Sequence, residues 1–173
     1  MLSAPLIITG QRLHMLCAFF ATALPIVLFS FWMTANSETL LASWSNANLN
    51  VHEISVDQRV VGFFISLAAI APIIFSIVRL GRLFSLYARG ILFSRENVLT
   101  LRDAGMGFIF YAVFDLIATP LFSLLFAYED ILVLNVGFNS STLITAFLGF
   151  ILLAIARAMD EARQMNDEWS LTV

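Results

Sequence analysis

Four apolar stretches, residues 13–33, 60–78, 106–126 and 140–156, divide the chain, and eight of its nine arginines fall on one side of them. A bilayer core about 30 Å thick needs roughly 20 mostly apolar helical residues to cross it. The first three stretches meet that length and the fourth meets it loosely. The chain is 60% hydrophobic and 12% charged, whereas an average soluble domain is about 25% charged. That composition excludes an ordinary water-soluble fold. With 173 residues, the expected organisation is one polytopic domain over 1–173. Its expected class is an all-α integral membrane protein with four transmembrane helices.

The arginines orient it. Arg12 precedes the first stretch. Arg79, Arg82, Arg89, Arg95 and Arg102 lie between the second and third, and Arg157 and Arg163 follow the fourth. Only Arg59 lies on the other side, whose two loops carry Glu38, Glu53, Asp57, Glu129 and Asp130. The positive-inside rule then places both termini and the middle segment in the cytoplasm. An even number of spans agrees. Arg12 and Ala21-Thr22-Ala23 imitate a signal peptide with its cleavage site. The apolar run continues through Pro25 to Met33, too long for a signal peptide, so the segment is read as an uncleaved first span.

The outer loops contain strand-like runs at 48–56 and 131–138. Their β-branched content and partial alternation predict a short extracytoplasmic β-ribbon, with irregular loop as the alternative.

The middle segment, 79–105, predicts a cytoplasmic helical elbow. Residues 80–88 continue the second span as a helix, Gly90 occupies a helix C′ position, and Ser94 is placed to cap a new helix from Arg95. Its arginines are expected to lie at the level of anionic headgroups, or to form a docking surface for a cytosolic partner. The tail, 157–169, predicts a helix that extends the fourth span. Ala154, Ala158 and Ala162 form a small-residue stripe that continues as Met165 and Trp169. Arg157/Glu161 and Arg163/Asp167 are i,i+4 pairs. The apolar stripe is expected either to pack on the elbow or to meet another protein.

The residues Leu83-Phe84-Ser85-Leu86-Tyr87-Ala88-Arg89-Gly90, then Phe93-Ser94, Asn97 and Leu101-Arg102, resemble the bacterial membrane family called domain of unknown function 2975. In the tail, Met159-Asp160-Glu161-Ala162-Arg163, Asp167-Glu168 and Leu171-Thr172-Val173 are similar to its C-terminal pattern. Trp169-Ser170 depart from the usual Glu-Asn step. The resemblance implies a four-helix protein of the bacterial inner membrane. It also implies a link to a small helix-turn-helix regulator, which members are often encoded beside. No reaction follows from it.

Asp115 is the sharpest single residue, in the middle of the third apolar stretch beside Phe110, Tyr111, Phe114 and Leu116. An acid at a helix centre costs about 2.5–3.5 kcal/mol to insert, so it is expected to face other helices. It is read as a protonated, hydrogen-bonded acid, a contact to another chain, or a proton-relay group. Thr119, one turn on, offers a hydrogen bond, and Pro120 is expected to bend the helix. His14 and His52 lie on opposite sides of the membrane and cannot share a haem or metal within one chain. Cys17, the lone cysteine, reads as a packed small residue. Hydrolase, phosphate-loop, zinc-protease and dithiol motifs are missing from the sequence, so no enzyme, cofactor or metal is expected. A net charge of −3 offers no basic surface for direct binding of nucleic acid.

Two classes of function remain. The first is a regulatory or interaction protein that holds a cytosolic partner through elbow and tail, with Arg79, Arg82, Arg89, Arg95, Arg102, Met165 and Trp169 as its candidate partner or lipid surface. The second is an accessory subunit of a larger membrane assembly.

Overall fold

The computed structural model describes residues 4–35, 54–91, 94–125 and 140–170, the side chains of 4–7, 119, 123, 125 and 166–170 excepted. Among the described residues there are four helices: α1 (Ala4–Thr34), α2 (Val56–Ala88), α3 (Arg95–Leu125) and α4 (Ser140–Ser170). Each is long and apolar enough to cross a membrane. No strand occurs among the described residues. The strand-like runs at 48–56 and 131–138 lie outside them, except Ile54 and Ser55, which are in no regular element, and Val56, which opens α2.

Local chemistry sets the helix ends. At the start of α2, the Gln58 N–H donates to Ser55 Oγ at 3.2 Å and the Ser55 N–H donates to Gln58 Oε1 at 3.0 Å. This reciprocal box satisfies two of the backbone donors that a helix start leaves open. At the other end, Ile91 N–H bonds to Leu86 O and Gly90 N–H to Tyr87 O, at 3.1 and 3.0 Å. Gly90 takes φ 81°, a left-handed conformation that glycine adopts without a Cβ penalty. Ser94 Oγ then accepts the Asn97 N–H at 3.2 Å and α3 begins.

The helices pack in sequence order, α1 on α2, α2 on α3 and α3 on α4. Among the described residues the backbones of α1 and α4 do not approach one another, so the arrangement is an open row. Lipid tails are as apolar as leucine, so close packing and hydrogen bonds hold such helices together. Small residues mark every crossing. A Cβ on Gly10 would lie 3.0 Å from Phe84 O. One on Gly105 would lie 2.9 Å from Gly149 O, and one on Gly107 2.8 Å from Pro72 O. Beside Gly107, the fully buried Ser76 hydroxyl sits 3.0 Å from Pro72 O and 2.9 Å from Ala104 O. It ties α2 to α3 through a shared proton.

Toward the end of α1, Trp32 is the largest buried side chain among the described residues, at 1% exposure. Its ring packs among Ala69, Ala118 and Phe122, which brings α1 side chains against α3. Arg59, the one arginine on this side, donates from Nη1 to Met33 O at 2.8 Å. A cation is favourable at a helix C-terminus, where carbonyls lack partners. The exception to the charge asymmetry therefore has a local task at the end of α1.

Candidate functional site

The arginine-bearing end is built from the last turns of α2, the first turns of α3 and the distal part of α4. Arg82 Nη2 and Nε donate to Glu96 Oε1 at 2.6 and 3.0 Å. Arg79 pairs with Asp103 at 3.4 Å, and its guanidinium lies 4.9 Å from the Phe75 ring centroid. Both ion pairs join α2 to α3 near the surface, where such pairs contribute about 0–1 kcal/mol. Their main consequence is on charge, since they leave Arg79 and Arg82 neutralised. Arg89, Arg95 and Arg102 form no ion pair among the described residues.

Asn97 holds the turn together and was not singled out as a site residue from sequence. It is fully buried, and its Nδ2 donates to Ile91 O at 2.7 Å. Its Oδ1 is buried without a hydrogen bond among the described residues. His14 on α1 donates from Nδ1 to Gly81 O at 2.9 Å, which docks α1 onto the same end of α2. His52 lies outside the described residues.

α4 meets this end through Leu152, Ala156 and Met159, which pack on Leu83 and Leu101. Of the two contacts expected for the alanine stripe, the one with the elbow is not made among the described residues. Ala154, Ala158 and Ala162 point away from the neighbouring helices, and Met165 is 61% exposed. The side chain of Trp169 lies outside the described residues. Within the tail, Arg157 pairs with Glu161 at 3.4 Å and Arg163 with Asp160 at 3.2 Å. The side chain of Asp167, expected as the partner of Arg163, is not among those described.

Asp115 turns toward α4, where the Thr142 hydroxyl donates to its Oδ2. Thr142 is buried and Asp115 half-buried. The antiparallel register explains the pairing. Gly105 lies opposite Gly149, so Thr142, the third residue of α4, reaches the level of Asp115. There α3 has ten residues still to run, roughly 15 Å of helix, while α4 has just begun. Asp115 therefore sits beside the first turn of α4, whose backbone N–H groups and dipole favour an acceptor. Thr119, the hydrogen-bond partner read from sequence, has its side chain outside the described residues. The signal for Thr142 was the Ser140-Ser141-Thr142 run that opens the fourth apolar stretch. Among the described residues, no group of three or more histidine, cysteine or acidic side chains could hold a metal ion.

Four apolar helices with a charged, turn-bearing end define a multi-pass membrane protein. The chain belongs to the family described as protein of unknown function DUF2975, which matches residues 42–173. No curated protein and no solved structure matches it.

Proposed function

We propose that the protein is a non-enzymatic interaction or regulatory protein of the bacterial inner membrane, with both termini and the 79–105 elbow in the cytoplasm. The observation that carries this reading is the face at the end of α4 that no described residue covers. Ala158, Ala162 and Met165 are exposed there, on a different side of the helix from the packed residues Leu152, Ala156 and Met159. A face of this kind in water is unfavourable by about 25 cal/mol per Å² of apolar area, and a partner helix would cover it. Arg89 and Arg95 stand at the same end of the molecule and add positive charge. The resemblance to the family points to a soluble helix-turn-helix regulator as that partner. Photocrosslinking from position 165 in native membranes tests the reading: a soluble DNA-binding protein is the expected adduct, and its loss when Ala162→Asp is added on the same face the expected control. Crosslinks to lipid alone would overturn it.

The second reading, an accessory subunit of a larger membrane complex, draws on the open row of helices. Among the described residues, nothing covers the α4 face bearing Phe147 and Phe150 or the α1 face bearing Met15 and Phe19. A stoichiometric membrane complex after mild solubilisation would favour it.

A further inference from the structure

A groove of about 490 Å³ lies between α2 and α3, lined by Phe75, Arg102, Asp103, Met106, Gly107 and Phe110. Small-molecule sites typically enclose about 300–1,000 Å³. The lining is segregated along the helix axis. Arg102 and Asp103 stand at the charged end, and Met106 and Phe110 follow one and two turns further in. Phe110 is roughly 12 Å along the helix from Arg102, most of the ~15 Å half-thickness of a bilayer core. Phe75, Met106 and Phe110 are exposed, so the groove opens sideways, toward lipid. Gly107 leaves its floor without a side chain.

The charges at the mouth do not cancel. Asp103 is paired with Arg79, which is itself held over Phe75. Arg102 has no ion pair or hydrogen bond among the described residues and is exposed. One positive charge is therefore left at the polar end of an apolar channel.

We propose that this groove binds a single anionic phospholipid, with Arg102 on the phosphate and an acyl chain lying along Phe75, Met106 and Phe110. The guanidinium fork matches phosphate geometry. A zwitterionic lipid would bring its own cation next to Arg102. The inference requires only that the helices span a bilayer, and is independent of which face is cytoplasmic and of any protein partner.

The test uses the full-length protein in neutral detergent with added phosphatidylglycerol or phosphatidylcholine, read by thermal melting and native mass spectrometry. Phosphatidylglycerol should raise the melting temperature more, and one molecule should stay bound. Arg102→Ala should lower retention of phosphatidylglycerol about tenfold. Arg95→Ala, which removes an exposed arginine outside the groove, should leave retention unchanged, and excess inorganic phosphate should not displace the lipid. Equal retention of both lipids would overturn the proposal. So would equal losses in the two arginine variants, which would signify diffuse surface charge, or displacement by phosphate, which would signify a free-anion site. A photoactivatable phosphatidylglycerol gives an independent reading: labelling of Phe75, Met106 or Phe110 supports the groove, and labelling confined to other residues overturns it.

Discussion

Gly62 of α2 lies directly against the indole of Trp32: a Cβ at that position would come within 2.2 Å of the ring. The indole has nowhere to go. Its Nε1 donates to Ser66 Oγ at 3.0 Å, and its ring stacks on Phe122 at 5.9 Å between centroids and 12° between planes. One glycine thus lets a single side chain join α1, α2 and α3. Gly62→Ala is expected to destabilise the protein by about 1–3 kcal/mol through overpacking. A lowered melting temperature in detergent checks this, and an unchanged one contradicts it.

The α3–α4 crossing should be less forgiving. There a Cβ on Gly105 meets the Gly149 carbonyl oxygen at 2.9 Å, and one on Gly149 meets the Gly105 oxygen at 2.8 Å. Backbone atoms cannot rotate aside as a side chain can. Gly149→Val is expected to separate the helices, shown by loss of a disulfide engineered between α3 and α4 that the unaltered packing permits. Retained crosslinking would argue against this geometry.

Asp115 and Thr142 can be tested as a pair. Interhelical hydrogen bonds in membranes contribute about 0.6 kcal/mol on average and up to about 1.7 kcal/mol. A double-mutant cycle of Asp115→Leu and Thr142→Val is expected to give a coupling near the upper end, because the acid stands beside the first turn of α4. Asp115→Asn keeps a hydrogen-bond acceptor and should fold. Strictly additive effects in the cycle would remove the pairing.

Asn97→Ala should loosen the turn between α2 and α3. It deletes the bond to Ile91 O and empties a buried site, together costing about 2 kcal/mol. Hydrogen exchange at Gly90 and Ile91 should speed up while that in the middle of α2 stays slow. Uniform protection across both would count against the proposed local role.

Orientation is a separate matter. A reporter active only outside the cytoplasm, fused after Val173, is expected to be silent, given the eight-to-one division of arginines. Strong activity would invert the topology.

The sequence by itself determined that the chain forms four helices apolar enough to span a bilayer and where its charged end lies, because a bilayer imposes length and charge asymmetry directly on the chain. It also placed the stop at Gly90 and the restart at Ser94, since caps are local chemistry. Only the tertiary structure decided which residues meet. In lipid an apolar side chain is acceptable on every face of a helix, so periodicity does not mark the packed side as it does in water. That is why the sequence leaves open whether the alanine stripe of α4 meets the elbow or another protein, while in the structure Ala156, outside the stripe, is the residue buried on Leu83 and Leu101. The same holds for Arg59 on Met33 O and Thr142 on Asp115, pairings between distant segments whose register no local pattern encodes. Helix crossing set by glycine, not hydrophobic patterning, selected these partners.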